Sequence, residues 1–169
     1  FKALPFSGRP FSTMDPVLAA EGARREDDWA LSLEDRGLLN LHRHVEIPQN
    51  VNIDAWAPHM ASLKQGQEAF AREVIVSGAI GAFQLSGRID FLILRWDKAR
   101  PVWWIVECKA SRRDRTYQRM QVVLYGLLLK QWLQAHPMTV AGERLRGEDI
   151  CCSVVRIDEA SNAMIPLEA

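Results

Sequence analysis

The sequence predicts a mixed α/β domain, a central β-sheet flanked by helices. Three observations lead there. The run Val102-Trp103-Trp104-Ile105-Val106 is apolar without alternation, as in a central strand buried on both faces. Residues 74–93 alternate apolar and polar around Gly78 and Gly81, as a hairpin does. Two long segments, 15–36 and 114–135, carry helical spacing between start and stop signals.

The bulk properties bound the answer further. A chain of 169 residues is one domain by length, with material for a proper core. Lys and Arg number 21 and Asp and Glu 21, so the formal net charge is zero. No global field then draws the chain to nucleic acid or to a membrane, and any such argument must be local. No apolar run reaches the roughly 18–20 residues of a membrane span, and no signal peptide is visible. Phe1 stands where Met would, which reads as a trimmed piece; residues 1–169 are expected to be a single domain of a longer polypeptide. Cys108 and the adjacent Cys151 and Cys152 are too few for a disulfide framework and read as free thiols in a reducing compartment. Three is also one short of the usual iron–sulfur ligand set, so no such cluster is expected, and no Cys-x-x-Cys pair suggests zinc.

In chain order, residues 1–13 hold Pro5, Gly8 and Pro10 and read as an arm or loop. Asp15-Pro16 looks like a helix start, and Gly37 like its stop. On that helix Leu18, Gly22, Glu26, Trp29 and Leu33 share one stripe, so Glu26 is its one carboxylate on the apolar side. Glu26 either pairs with a nearby arginine at the stripe's edge or is aimed at a site. Val45 to Ile47 suits a short strand, and His42 and His44 read as surface or edge residues. A short helix follows, with Pro58 near its start and Gly66 at its end. Val74-Ile75-Val76 is a strand. The return strand places Phe83, Leu85, Ile89, Phe91 and Ile93 on one face and Gln84, Ser86, Arg88 and Asp90 on the other. Residues 97–101 turn into the central strand, so three strands form a meander. Residues 138–148 read as a polar loop, and 150–157 as a last strand.

The central strand ends Glu107-Cys108-Lys109. Glu107 and Lys109 project from one face and Cys108 from the other. Ionisable groups at the end of a buried strand are costly unless water, a metal or a charged ligand reaches them. Asp90 can lie beside Glu107 on the neighbouring strand. Two carboxylates and an amine, with the Cys108 backbone carbonyl, suit Mg²⁺ or Mn²⁺. A metal there polarises a phosphoryl oxygen, which makes phosphodiester hydrolysis the natural reaction class. The next stretch is basic, with Arg112, Arg113, Arg115 and Arg119, and can hold a phosphate backbone. Downstream, Tyr117, Gln121, Tyr125 and Leu128 share a helix face. Gln121 amid apolar neighbours needs partners for its amide.

The ordered set Gly87-x-x-Asp90, Glu107-x-Lys109 and Gln121-x-x-x-Tyr125 resembles the PD-(D/E)xK nuclease superfamily. Gln-x-x-x-Tyr after Glu-x-Lys resembles its RecB-like exonuclease group, which includes CRISPR adaptation nucleases and helicase-fused nucleases. The resemblance covers about residues 68–132 and extends loosely to Gly22-x-x-x-Glu26. It implies a restriction-endonuclease-like core and a one- or two-metal nuclease that leaves a 5′-phosphate and a 3′-hydroxyl. By resemblance, Asp90 and Glu107 bind metal, Lys109 serves the nucleophile, and Gln121 and Tyr125 hold the substrate or the site. Where many members carry a first-helix histidine as metal ligand, this chain has Glu26. The implied partners are DNA single strands or ends and a helicase domain or subunit. The implied setting is cytoplasmic, nucleoid-associated if prokaryotic. The alternative is a catalytically reduced, nuclease-like DNA-binding module.

Overall fold

In this computed structural model, residues 16–48, 50–109 and 116–156 are described, with side chains for 20–48, 50–108 and 119–155. The expected arm at residues 1–13 and the Asp15 cap lie outside them. Helix α1 spans Pro16–Asp35. It ends as predicted: Gly37 adopts φ 91°, a conformation that favours glycine, and the Leu38 N–H turns back to the Leu33 carbonyl at 3.1 Å.

The chain then drops onto the sheet as β1, Leu39–Asn40, paired parallel to β2, Ala69–Ile80. Asn40 accepts the His42 N–H at 3.1 Å and so caps the short α2, Leu41–His44. The strand expected at Val45–Ile47 therefore does not form; the edge strand lies earlier, because Gly37 delivers the chain to the sheet at Leu39. Helix α3 is Ile53–Ala61. Pro58 sits inside it rather than near its start, where it costs one intrahelical hydrogen bond. Strands β3, Phe83–Asp97, and β4, Arg100–Lys109, complete the meander. Helix α4, Thr116–Ala135, crosses over to β7, Ile150–Arg156, which pairs parallel to β4. The sheet order is β1-β2-β3-β4-β7, a mixed sheet as expected. Between α4 and β7 the expected loop instead folds into a hairpin, β5 (Thr139–Val140) and β6 (Glu143–Arg144), and a 3₁₀ turn at Gly147–Asp149.

The two faces of the sheet carry separate cores. Trp56 and Met60 of α3 and Val122, Leu128 and Leu129 of α4 pack on Ala69, Val74, Leu92 and Ile105. Trp29 and Leu33 of α1 pack on Phe70, Phe91, Ile93 and Val106 across the sheet. Trp29 meets Phe91 edge-on at 4.5 Å, a favoured aromatic geometry.

One expectation fails in an informative way. Ile89, Phe91 and Ile93 do not share a face: Ile89 joins the α3/α4 core, while Phe91 and Ile93 join the α1 core. On β2, Ala69 and Ala71 face α3/α4, yet so do Val74 and Val76. Both strands change phase together between Arg72↔Phe91 and Val74↔Ile89, and the register is otherwise continuous. Glu73, with φ 55°, is the residue that absorbs the change, opposite Asp90.

Candidate active site

Strand β4 lies between β3 and β7, so its end is deep in the sheet. Glu107 there is 2% exposed. A buried carboxylate is costly without hydrogen-bond partners. Its Oε1 accepts from Gln121 Nε2 at 3.0 Å, and the same amide nitrogen lies 2.7 Å from the Tyr125 hydroxyl oxygen. Gln121 and Tyr125, one helical turn apart on α4, thus form a short polar chain ending on Glu107.

Asp90 is held from the neighbouring strand. The β3–β4 ladder runs from Asp97↔Arg100 to Phe91↔Val106. Just past its last pair, Asp90 Oδ2 accepts the Cys108 backbone N–H at 2.8 Å. A side-chain carboxylate takes over where backbone pairing stops, next to Glu107. Gly87 makes room for this arrangement. A Cβ there would stand 2.6 Å from Tyr125 Cδ1, so only glycine lets the ring lie on β3.

Glu26 approaches from the other side, on α1. Burial, then the charges of Asp90 and Glu73, push its carboxyl up to about 6, opposed by Arg72 and Arg88. It also faces Arg72 Nη2 at 3.7 Å. The arginine pairing expected of Glu26 is thus present, and the Asp90 charge acts on it as well. The sequence reading missed Glu73. Burial raises its carboxyl, Arg88 opposes the rise and Asp90 adds to it. Its Oε2 pairs with Arg88 Nε at 2.7 Å, and Arg88 Nη1 also donates to Asn50 Oδ1 at 3.3 Å. No spacing rule marks Glu73; only the cross-strand register brings it to Asp90. Cys108 points to the α1 side, where burial and then Asp90, Glu26 and Glu107 hold its thiol well above the usual range.

Lys109 closes β4, and its side chain lies outside the described residues, as do Arg112, Arg113 and Arg115. Arg119 is exposed on α4. Two residues from Gln121, it is turned about 200° from the Gln121 row.

A model of the PD-(D/E)XK nuclease superfamily matches residues 17–151, most of the chain. The chain belongs to the PD-(D/E)XK nuclease superfamily. Comparisons with curated proteins and with solved structures returned no match. The PD-(D/E)XK match spans α1 through the start of β7, so it takes in Glu26 as well as Asp90, Glu107, Gln121 and Tyr125.

Nucleases of this superfamily generally use divalent metals such as Mg²⁺. The donor set fits such an ion. Asp90, held on the Cys108 N–H, and Glu107, one residue before it, are carboxylates at neighbouring strand ends, hard oxygen donors of the kind such an ion takes. Among the described residues, no group of three or more His, Cys, Asp and Glu side chains is arranged to hold a metal ion.

Proposed function

We propose that this PD-(D/E)XK nuclease is a Mg²⁺- or Mn²⁺-dependent deoxyribonuclease of the RecB-like group. It hydrolyses phosphodiester bonds of single strands or ends, attached to or working with a helicase in repair, recombination or defence. The observation that carries the reading is the Asp90 hydrogen bond to the Cys108 N–H, which brings the second carboxylate to the residue next to Glu107. The Glu107–Gln121–Tyr125 chain supports the RecB-like assignment, since it gives Gln121 and Tyr125 a physical role on Glu107. The three cysteines are free thiols, which accords with the proposed cytoplasmic setting.

In this reading Asp90, Glu107 and the Cys108 carbonyl are the metal donors, and Glu26 is a further donor from α1. When bound, the cation polarises a phosphoryl oxygen and acidifies a bound water. Lys109 orients the attacking water and offsets the charge that develops on the phosphate. The water oxygen bonds to phosphorus and the P–O3′ bond breaks. One water proton leaves to solvent and the departing 3′-oxygen takes one up, giving a 5′-phosphate and a 3′-hydroxyl. Gln121 holds the Glu107 carboxylate in place.

The test is a metal-titrated digestion of end-labelled single- and double-stranded DNA. Cleavage is expected with Mg²⁺ or Mn²⁺, none with chelator, and none in Glu107→Ala with the fold intact by circular dichroism. DNA that stays whole with every metal, while the protein still binds it, would return the chain to a binding module.

A further inference from the structure

The polar segment 138–148, to which sequence reasoning assigned no function, builds a second site. In Arg144-Leu145-Arg146 the extended backbone turns Leu145 into the core, 2% exposed, and sends both arginines out together. The loop is pinned. The Leu145 N–H reaches the Met138 carbonyl at 3.0 Å, and the Arg146 N–H donates to the buried Asp149 carboxylate at 3.0 Å. Across from it stands Lys130 of α4. A Cβ at Gly147 would lie 2.7 Å from Lys130 Cγ, so the loop backbone rests directly on the lysine stem. These elements line an open cavity of about 390 Å³, with Lys130, Arg144 and Arg146 over a floor that includes Leu133 and Leu145.

Charge and position decide what such a cavity takes. Three cations face one carboxylate, Glu148, which meets Arg146 at 3.6 Å in an exposed pair. Exposed pairs are weak, so Arg146 is readily shared with a ligand. Arginines recognise phosphate by paired N–H donors. No aromatic ring lines the cavity to stack a base, so the phosphate is what it reads. Arg100, the first residue of β4, pairs with Asp149 beside the cavity at 3.5 Å. Glu107 is seven residues further along β4, about 23 Å at strand rise.

We propose that this basic cavity holds a backbone phosphate of the nucleic-acid strand whose scissile bond lies at Glu107, anchoring the strand about seven strand residues away. The proposal rests on the nuclease reading for the identity of the strand, and on this loop's own geometry for the site. Contact is sequence-independent, and it lowers the strand's dissociation without touching the bond that breaks.

The experiment measures binding of a fluorescein-labelled 20-nucleotide single-stranded DNA in EDTA, where no cleavage occurs, across a salt series. In Arg144→Ala/Arg146→Ala, affinity at 0.1 M salt is expected to fall about tenfold. The slope of log affinity against log salt should flatten by about 1.4, for two lost phosphate contacts on a single strand. Arg144→Glu should weaken binding without touching the Arg146 loop pin, which uses the backbone. Lys64→Ala/Arg43→Ala removes the same charge from exposed positions elsewhere and is expected to leave affinity unchanged. Wild-type affinity in both cavity variants, or an equal loss in the control pair, overturns the anchor. So does displacement of the strand by millimolar AMP, which would mark a mononucleotide site. If the wild type binds the strand through these arginines but leaves it whole with every metal tried, the nuclease reading fails and the anchor stands. Metal-dependent cleavage with unaffected variants gives the reverse.

Discussion

The Tyr125 ring occupies the space where a side chain at position 87 would sit, so α4 touches β3 through a residue that has none. This contact fixes the Tyr125 hydroxyl against Gln121 and, through Gln121, the Glu107 carboxylate.

Gly87→Ala should therefore act at a distance. Overpacking of this kind costs about 2 kcal/mol. The variant is expected to unfold at lower urea and to cut DNA more slowly, because the displaced ring releases Gln121. In a Tyr125→Ala background the same substitution should be close to neutral. A double-mutant cycle in urea measures the coupling, and additive losses would show that the ring does not carry the effect.

Gln121→Met keeps the bulk and removes the amide that Glu107 Oε1 accepts from. Groups that orient a metal-binding carboxylate are worth about 10–100-fold in metal affinity. The Mg²⁺ concentration for half-maximal cleavage should rise by about tenfold, with the maximal rate less affected. An unchanged metal titration would mean that Gln121 serves only the fold.

Arg72 holds α1 to the sheet. It is 17% exposed, its Nη1 lies 2.6 Å from Asp27, its Nη2 faces Glu26, and its guanidinium lies 5.3 Å from the Phe91 ring centroid. Arg72→Met leaves those carboxylates without their cation. A hydrogen bond to a charged group is worth about 1.5–3 kcal/mol. We expect a loss of about 2 kcal/mol, together with faster amide hydrogen exchange along α1 than along α4. Uniform exchange in both helices would count against a local tether.

His42 gives the pH dependence a definite sign. Burial lowers its pKa, assisted by the Arg72 charge and opposed by its hydrogen bond to the Arg72 backbone. The folded state thus prefers the neutral ring. The associated stability is complete above about 6.5, the unfolded value, and is lost as pH falls toward the depressed folded value. Glu26 and Glu73, both raised, act oppositely and favour the fold as their carboxyls protonate. The His42 contribution is read as the difference between wild type and His42→Gln. That difference should shrink between pH 7.5 and 5 in urea melts, and a difference that grew on acidification would reverse the assignment.

The motif order was legible before folding because each motif is local. Glu107 and Lys109 alternate on one strand, and Gln121 and Tyr125 stack on one helix, so residue spacing alone exposes them. The end of α1 was legible for the same reason, since Gly37 acts within its own turn. Expectations failed where a partner strand intervened. The face assigned to Phe91 assumed unbroken alternation, and Glu73, on another strand, breaks it at φ 55°. Glu73 and Arg88 stayed hidden because they pair across strands fifteen positions apart in the chain.

By itself, then, the sequence determined the class of the sheet and the long helices that flank it, and it singled out Asp90, Glu107, Lys109, Gln121 and Tyr125 as candidates. Only the tertiary structure decided that Asp90 bonds the N–H beside Glu107, that Glu26 and Glu73 stand in its field, and that Lys130, Arg144 and Arg146 ring one cavity. The physical reason is range. Periodicity reports what one element's backbone does to its own side chains. Which carboxylates and cations become neighbours depends on register and crossover, and those are settled when separate elements bury their apolar faces against each other.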